Sequence, residues 1–496
     1  MIYTVTVIIV LAVFVRVIWK IFVKNKNDLF TKVPGPRRLP ILGNTMEFIG
    51  ITQGEMFDKM RIYVKMYGDR CVVKILNRTI LLINNPNDIE IVLTHPRNIT
   101  KSKHYSYLQP WLGTGLLIST GSKWHKRRKI LTPSFHFNIL KNFSKVMEEK
   151  SRNLVEELHR TRGAEVDVMT AMSNFTLYTI CETAMGTQLD LDLSATVIKY
   201  KKAILDIGRL IISRLTNLWL RNEFVFKLTV AGKKFDESLR IAQEFADNVI
   251  LERKKIRTEG EISFLEEDLG IKRNMALLDV LLDAESKGDI DVEGIREEVN
   301  TFMFEGHDTT AMALTFAIML LADHEDVQER IYEECQRVIG ESDRSANWKD
   351  VSEMKYIEAV IKEALRLYPS VPFIGRIVTE DFMLGDVLVK KGVEIAVQIY
   401  DLHHREDLYP EPELFKPERF LTFEPRHPYA FVPFSAGFRN CIGQRFAMQE
   451  MKYALSGICR KFKILPKTEG ATGRPSLLTD IVLRPLNPIY VRFEPR

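Results

Sequence analysis

The segment from Phe434 to Gly443 constrains this chain of 496 residues more than any other part, because it places one cysteine at the start of an apolar helix. It reads Phe-Ser-Ala-Gly-Phe-Arg-Asn-Cys-Ile-Gly, and a helical pattern begins near Gln444. Backbone N–H groups and the positive end of the helix dipole then point at the Cys441 sulfur, which predicts a lowered thiol pKa and a thiolate able to bind a metal. A lone cysteine is usually a small core residue, but F-x-x-G-x-R-x-C-x-G arises by composition in on the order of one in 10,000 such chains.

Three other residues of this loop suit a flat, charged ligand. Gly437 and Gly443 allow the backbone to pass close to such a ligand, because neither carries a Cβ. Arg439 supplies a positive charge two residues from the sulfur, where it can pair with a carboxylate.

A second group of chemistry-bearing residues lies in a long helical pattern from about Val292 to His324. Glu305 and Thr309 are four residues apart and share one helix face, while Asp308 is turned to one side next to the threonine. A glycine inside a helix costs about 1 kcal/mol, so the Gly-x-Asp-Thr pattern breaks the local rules for helices. A solvated helix face is the alternative interpretation.

Two charged patterns complete the set. Trp124 and Arg128 are four apart, so the indole N–H and the guanidinium can reach one carboxylate, although a buried tryptophan on a basic helix would look the same. Glu363 and Arg366 form E-x-x-R, which by itself indicates only a surface ion pair, and Arg419 follows in Pro-Glu-Arg-Phe.

Taken in this order, the motifs resemble those of the cytochromes P-450, the haem-thiolate monooxygenases. The resemblance implies that Cys441 is the axial ligand of the haem iron and that Asp308 and Thr309 relay protons in O₂ activation. It further implies a haem-binding role for the loop and for the residues that match its carboxylate ligands: Phe434, Gly437, Arg439, Gly443, Trp124, Arg128 and Arg376. In the family, the residues matching Glu363, Arg366 and Arg419 form a buried structural network.

The helix around Glu305 is similar to the segment that marks family 4, the fatty-acid ω-hydroxylases and their invertebrate relatives. In many members the matching glutamate forms an ester with a haem methyl group, so covalently attached haem is implied as a hypothesis. Asn300 departs from the aspartate usual at its position, more than one helical turn from Glu305.

Charge and cysteine usage exclude several classes of protein. The net charge of +5 comes from the first 40 residues, which hold seven basic residues and one acidic residue, and the remainder is close to neutral. Without a basic stripe we expect no nucleic-acid partner. The other cysteines lack C-x-x-C spacing, which argues against a disulfide framework or a zinc ribbon and predicts core residues: Cys71, Cys181, Cys335 and Cys459.

The N terminus predicts a membrane anchor. Residues 2–15 are apolar or threonine, and the apolar character extends to Val23 around Arg16 and Lys20, which is just enough for a span of about 20 residues. Basic residues follow the apolar run, so a cleaved signal peptide is disfavoured and the body is expected on the cytosolic side of the endoplasmic reticulum membrane. A removed presequence or an interfacial helix is the alternative.

The predicted organisation has three parts: an anchor helix at 1–23, a basic and proline-rich hinge at 24–44, and a haem-thiolate catalytic domain at 45–496. The fold class is mainly α with small β-sheets, in agreement with the cytochrome P-450 fold. Amphipathic helical stretches are expected near 122–160, 192–218, 234–256 and Gln444–Lys461, and a strand pair at residues 70–76 and 79–85.

The implied reaction inserts one oxygen atom of O₂ into a lipophilic substrate with electrons from NADPH, delivered by a membrane-bound cytochrome P-450 reductase, with cytochrome b5 as a further candidate partner. The bases Lys126, Arg127 and Lys129 suit an acidic redox partner. Two other functions stay open: a haem-thiolate isomerase or dehydratase, and a non-catalytic haem protein.

Fatty-acid ω-hydroxylation is the substrate prediction that the resemblance implies, with terpenoid or steroid hormones and xenobiotics such as insecticides as alternatives. Substrate contacts are expected around Lys101–Leu117 and Leu205–Leu220, where no spacing decodes into a particular ligand.

Overall fold

A computed structural model describes residues 28–97, 100–188, 194–258, 276–422, 425–467 and 474–496, together with residues 6, 12, 13 and 16. Apart from those four positions, the predicted anchor lies outside the described residues. Within the described ranges, no helix is both long enough and apolar enough to span a membrane.

Helices make up most of the described chain, which confirms the prediction of a mainly α fold. In chain order they are α1 (Asp28–Lys32), α2 (Gln53–Tyr67), α3 (Pro86–Thr94), α4 (Gln109–Leu112), α5 (Gly121–Leu131), α6 (Phe137–Arg160), α7 (Val168–Thr183), α8 (Ser194–Thr216), α9 (Glu223–Leu228), α10 (Val230–Thr258), α11 (Leu277–Ser286), α12 (Val292–Ala322), α13 (Glu325–Ile339), α14 (Trp348–Glu353), α15 (Lys355–Leu367), α16 (Ile399–His403) and α17 (Gln444–Lys461).

The strands form small sheets at the edges of the helical body. They are β1 (Arg70–Ile75), β2 (Arg78–Ile83), β3 (Glu165–Asp167), β4 (Phe373–Ile377), β5 (Phe382–Leu384), β6 (Val387–Val389), β7 (Glu394–Gln398), β8 (Phe462–Pro466), β9 (Leu477–Thr479), β10 (Leu483–Pro485) and β11 (Tyr490–Pro495). One sheet has the order β1-β2-β7-β4, with β2 and β7 parallel and its other pairs antiparallel. The others are β3-β11-β8, β9-β10 and β5-β6.

The helix α12 runs through the interior and carries the Glu-Gly-His-Asp-Thr segment. Its 31 residues give it a length of about 46 Å, and most of them are buried on every side. An all-round apolar helix has to be enclosed by other elements, and α12 packs against α7, α10, α11 and α15. The hydroxyl of Thr176 on α7 donates to the carbonyl oxygen of His307 at 2.9 Å, which joins the two helices directly.

The expected helical stretch at 122–160 is interrupted. The helix α5 ends at Leu131, a 3-10 turn covers Thr132–Phe135, and α6 begins at Phe137. Pro133 lies in this turn, where its missing N–H rules out an uninterrupted helix. The prediction of one stretch is therefore wrong at this point, whereas α17 has the predicted bounds and β1 and β2 form the predicted pair.

The proline-rich segment lies against the sheet. The N–H of Val72 on β1 donates to the carbonyl oxygen of Pro34 at 2.9 Å, and the N–H of Asn44 donates to that of Lys74 at 2.6 Å. A Cβ at Gly35 would meet the Val72 carbonyl oxygen at 2.2 Å, so glycine is needed for this close approach. The part of the predicted hinge from Pro34 to Asn44 therefore packs on β1.

The cysteines divide as expected. All five are free, and Cys71, Cys181, Cys335 and Cys459 are buried. Cys441 has accessible surface, and its side chain lines an internal cavity.

Candidate active site

A cavity of about 400 Å³ lies beside α12 and the cysteine loop. Most of its wall is apolar. It also takes in both segments expected to contact substrate, through residues that include Lys101, Tyr105, Leu116, Ile211 and Leu215. The turn between β9 and β10 also lines the cavity, as do residues 370–374 at the start of β4. The cavity therefore brings the cysteine, the α12 segment and the expected substrate segments to one place.

The fold of the cysteine loop fixes the position of Cys441. The backbone of Ser435 and Gly437 adopts positive φ values of 58° and 69°, and the N–H of Cys441 donates to the Phe434 carbonyl oxygen at 2.9 Å. A Cβ on Gly437 would meet the carbonyl oxygen of Leu93 on α3 at 2.0 Å. Gly437 is thus required by the approach of the loop to α3, and its predicted role toward a flat ligand stays a prediction.

The protein groups alone raise the pKa of Cys441, whereas the sequence predicts a lowered value. Burial raises the pKa of the thiol to about 11, the negative charge of Glu305 adds to this rise, and the N–H groups of Gly443 and Gln444 oppose it only in part. Loss of hydration therefore outweighs the helix N terminus. A metal ion bound at the sulfur would reverse the balance, because its own charge dominates such a site.

Four cations gather next to the loop. Arg128 donates from Nη1 to the Asn440 carbonyl oxygen at 3.0 Å and from Nη2 to its side-chain oxygen at 2.9 Å. Arg439 donates to the carbonyl oxygens of Leu117 and Ser119 and lies 4.9 Å from the ring centroid of Trp124. The other two cations are Arg376 on β4 and Lys101, which pairs with it in an isolated antiparallel β-bridge. Lys101, Arg128 and Arg439 line the cavity, and the charge of Arg376 acts on Lys101 and Arg439.

These cations lack a carboxylate partner among the described residues, since no ion pair joins Lys101, Arg128, Arg376 or Arg439 to an acid. The Nε atom of Arg439 is buried without a hydrogen-bond partner. Burial and repulsion by Arg376 lower the Arg439 pKa to about 9, and the same causes lower that of Lys101 well below its usual value. Concentrated, desolvated positive charge of this kind needs an anionic ligand.

Sequence reasoning placed Lys101 in an expected substrate segment but missed its place in the cation cluster. No local pattern marks it, and it joins the cluster only because residues 100–102 run along β4: the Ile377 N–H donates to the Thr100 carbonyl oxygen at 3.0 Å, and the Ser102 N–H donates to that of Gly375 at 3.4 Å. Its ammonium group lies 4.8 Å from the centroid of the Tyr105 ring.

The acid–threonine segment of α12 is split between two environments. Glu305, Gly306 and Thr309 line the cavity, and the Thr309 hydroxyl donates to the Glu305 carbonyl oxygen at 2.6 Å. Burial raises the Glu305 pKa to about 7, against the opposing charges of Lys101, Arg439 and Arg128.

Asp308 lies beside this wall rather than in it. Its Oδ2 accepts a hydrogen bond from Nη2 of Arg484 at 2.6 Å, and both side chains are buried. Sequence reasoning did not find Arg484, because 176 positions separate the two residues.

The E-x-x-R motif and Arg419 meet in the interior. Arg366 is fully buried and donates to both carboxylate oxygens of Glu363 at 2.8 Å, while Nε of Arg419 lies 3.3 Å from the same carboxylate. Arg366 also donates to the carbonyl oxygens of His403, Pro412 and Leu414, which fixes the irregular segment that leads to the cysteine loop.

One basic residue expected to face a redox partner faces inward. Arg127 is buried, donates to the Gly294 carbonyl oxygen at 3.0 Å, and lies 3.4 Å from the Glu297 carboxylate. That assignment is therefore wrong for Arg127, whose partners are on α12. Lys126 and Lys129 are exposed.

A haem fits this arrangement. Cys441 offers one sulfur for an iron, and the unpaired cations beside it, with Trp124 and the orphaned Arg439 Nε, suit the two carboxylates of the porphyrin. Gly443 lies in the cavity wall, where a Cβ would stand 3.9 Å from the Cys441 sulfur.

Comparison with known proteins agrees with this fit. A family model described as Cytochrome P450 matches residues 33–493. Cytochrome P450 4d2 of Drosophila melanogaster is 40% identical over 479 residues, which cover 94% of each chain. Cytochrome P450 4c3 of the same organism is 39% identical over 489 residues, covering 94% of this chain and 89% of that protein. Cytochrome P450 4d1 of Drosophila simulans is 38% identical over 500 residues, covering 95% of each.

Both kinds of match extend over nearly the whole chain, and these relatives are all members of family 4. Membership implies haem, O₂ and electrons from a redox partner. The chain therefore belongs to the cytochrome P-450 family, within its family 4, and is a monooxygenase.

Proposed function

We propose that this monooxygenase hydroxylates the terminal carbon of a fatty acid or a related lipid at the endoplasmic reticulum membrane, with electrons that an NADPH-dependent reductase delivers and with cytochrome b5 as a second donor. The balanced reaction is RH + O₂ + NADPH + H⁺ → ROH + H₂O + NADP⁺. Membership of family 4 and the apolar cavity wall support a lipophilic substrate.

The observation that carries the proposal is Arg221, a cation of the cavity wall that lies apart from the cluster beside Cys441. Its Nη2 donates to the Leu215 carbonyl oxygen at 2.6 Å, but its Nε is buried without a hydrogen-bond partner. Among the described residues it forms no ion pair, whereas Arg78 in the same wall is paired with Glu394 through two contacts of 2.7 Å. Burial lowers the Arg221 pKa, because the charged guanidinium has lost part of its hydration. An anionic ligand would offset this desolvation cost.

Arg221 is separate from the cations that suit haem. The titratable groups that act on its pKa are Tyr107 and Arg78, and neither belongs to the cluster beside Cys441. A fatty acid whose carboxylate binds Arg221 would lay its chain along apolar wall and present its other end to the part of the cavity lined by Thr309 and Cys441.

The chain's own groups divide the chemistry in this proposal. A bound haem would supply the iron at which O₂ is reduced; Cys441 would bind that iron, and Arg128, Arg376, Arg439 and Trp124 would hold its carboxylates. The Thr309 hydroxyl and the Asp308 carboxyl move protons, and the apolar wall keeps bulk water from competing for them.

The test is product analysis by mass spectrometry. Full-length protein with reductase and NADPH is given dodecanoic acid, dodecan-1-ol and methyl dodecanoate, and we expect a terminal hydroxyl on the acid. Arg221→Gln should raise KM for the acid by about 10- to 100-fold, the usual value of a charged hydrogen bond, and leave the alcohol unchanged. Arg240→Gln, which changes an exposed residue paired with Glu244 on α10, is the matched control.

Cys441→Ala should abolish both product formation and the reduced-CO difference spectrum. A normal spectrum without turnover of any of the three lipids would refute the substrate proposal and direct the search to terpenoid hormones and xenobiotics. Equal effects of Arg221→Gln on KM for the acid and the alcohol would refute only the role of Arg221 and would leave the substrate proposal standing.

A further inference from the structure

Arg484 on β10 joins two buried acids. Its Nη2 donates to Oδ2 of Asp308 at 2.6 Å, and its Nε donates to Oδ2 of Asp480 at 3.2 Å. All three side chains are buried, with exposed fractions of 5% for Arg484, 4% for Asp308 and 3% for Asp480. One guanidinium therefore serves two carboxylates that belong to different elements.

The second acid borders the cavity. Asp480 lies in the turn between β9 and β10, which lines the cavity together with Ile481 and Val482. Its Oδ1 is buried and has no hydrogen-bond partner among the described residues. The charged groups facing Asp480 are Arg484 on the same hairpin, Asp308 on α12 and Arg209 on α8.

The same hairpin is also linked to Thr309 through Ser370. The Leu483 N–H donates to the carbonyl oxygen of Ser370 at 2.8 Å, and the Ser370 hydroxyl donates to the carbonyl oxygen of Thr309 at 2.7 Å. The hairpin is thus linked to both members of the acid–threonine pair, to one through a side chain and to the other through the backbone.

We propose that Arg484 is a positioning residue for Asp308 and that Asp480 is its exchange partner. While Asp308 is bound to Arg484, its carboxyl group is held beside the cavity wall. It can turn toward Thr309 only if the guanidinium keeps a counter-charge, and Asp480 supplies that charge. The inference rests on the proposed proton relay through Asp308 and Thr309.

The charge balance favours this exchange. A buried arginine that loses its one partner is left uncompensated, which makes such a movement costly. With two carboxylates at one guanidinium, release of Asp308 leaves Arg484 and Asp480 as a neutral pair, and Arg209 on α8 adds a further positive charge near Asp480. Burial raises the Asp480 pKa to about 6; the arginines Arg484 and Arg209 oppose this rise, and the negative charge of Asp308 adds to it.

The test measures how the electrons from NADPH are used. Hydroxylation follows RH + O₂ + 2 e⁻ + 2 H⁺ → ROH + H₂O, and the unproductive reaction follows O₂ + 2 e⁻ + 2 H⁺ → H₂O₂. Both reactions take up two protons and two electrons. The ratio of hydroxylated product to peroxide therefore reports how the protons are delivered and not how many are used.

The full-length holoenzyme is assayed with reductase and dodecanoic acid. In Asp480→Asn, Arg484 keeps Asp308 as its one charged partner, and we expect the ratio of product to peroxide to fall about tenfold, with a larger solvent deuterium effect. Substrate binding by equilibrium dialysis should stay within about twofold of wild type, because the change is isosteric. Arg484→Lys has no planar fork to bridge both acids and should act in the same way.

A matched control is Arg253→Lys. Arg253 also makes a buried two-contact pair, with Asp279 at 2.6 and 2.8 Å, but it joins α10 to α11 and does not line the cavity. It should lower thermal stability without changing the ratio of product to peroxide.

Each outcome decides the matter. Asp308→Asn combined with Asp480→Asn should be no worse than Asp308→Asn alone, and multiplied effects would overturn the proposal. If Asp480→Asn fails to give the reduced-CO spectrum, Arg484→Lys decides, and a wild-type ratio in it would also overturn the proposal. If Asp308→Asn itself leaves the ratio unchanged, the proposed relay fails as well, which separates the two failures.

Discussion

Glu305 is an acid that lies beside the cation cluster of the cavity wall. Lys101, Arg439 and Arg128 act on it, yet burial prevails and raises its pKa to about 7. At neutral pH a substantial share of Glu305 is therefore protonated. An ester to a haem methyl group would remove this titrating group from the cavity. Covalent attachment would therefore also remove the cost of burying the Glu305 carboxylate.

The hypothesis of covalent haem can be tested at Glu305. Wild-type protein should retain its haem after extraction with acidified organic solvent, and Glu305→Ala should release it, because the variant has no carboxylate to form the ester. Mass spectrometry of the intact chain measures the retained haem. Glu305→Asp, whose side chain is shorter by one methylene, is the matched control and should retain only part of it. Release of haem by the wild type would refute the link.

The Thr309 hydroxyl is tested by coupling. Thr309→Ala should keep the haem spectrum and lower the yield of product per NADPH by about tenfold, because a positioned proton donor is lost and peroxide forms instead. Thr309→Ser retains the hydroxyl that donates to the Glu305 carbonyl oxygen and should stay close to wild type. Equal coupling in the alanine and serine variants would argue against the relay.

At the scale of elements, α15 acts as the support of the cysteine loop. Arg366 on this helix binds Glu363, the carbonyl group of His403 at the end of α16, and the carbonyl groups of Pro412 and Leu414 in the segment between α16 and α17. The segment has little regular structure of its own, so these hydrogen bonds replace the ladder that a strand or helix would provide. These hydrogen bonds fix the chain that leads into the loop with Cys441.

Loss of Arg366 should affect stability and haem retention together. Arg366→Met leaves the Glu363 carboxylate buried without its main partner, which should cost about 3–5 kcal/mol in the free energy of unfolding. Urea titration followed by tryptophan fluorescence measures the loss. Arg330→Met is the matched control, because Arg330 forms a half-exposed pair with Glu418 in the same region and should cost under about 1 kcal/mol. Equal losses of unfolding free energy in the two variants would show that the buried network stabilises the fold no more than the half-exposed pair does.

For the whole molecule, burial of neutral histidines links stability to pH. His404 stacks on Tyr400 with ring centroids 4.1 Å apart, and its Nδ1 lies 2.7 Å from the Tyr400 carbonyl oxygen. Burial lowers the His404 pKa to about 3. As the pH falls below about 6.5, the unfolded chain binds a proton at this position and the folded chain does not, so the folded state is destabilised.

We therefore expect His404→Gln to flatten the acid limb of stability. Between about pH 6 and pH 4 the free energy of unfolding of the wild type should fall faster than that of the variant, by about 1.4 kcal/mol per pH unit. Urea unfolding at each pH measures both proteins. The constant difference at pH 7.5 reports lost packing, and other titrating groups cancel in the comparison. Parallel curves for the two proteins would contradict the assignment.

The sequence by itself determined the parts of this protein that depend on short-range order. The spacing around Cys441 predicts a loop that opens α17, and the spacing of Glu305 and Thr309 predicts one face of a helix; the structure places all three in the cavity wall. Helix periodicity and turn residues act within a few positions, so these features could be read directly. The helix break at Pro133 could have been predicted in the same way, from the missing N–H.

Only the tertiary structure decided how these parts are charged and connected. Three contacts between residues far apart in the chain illustrate this. Arg484 pairs with Asp308, Lys101 enters the cation cluster beside Arg376, and Arg127 turns inward to the Gly294 carbonyl oxygen. The rise of the Cys441 pKa likewise depends on burial by several elements at once. Burial and long-range electrostatics arise only when distant segments pack together, and no local spacing encodes them.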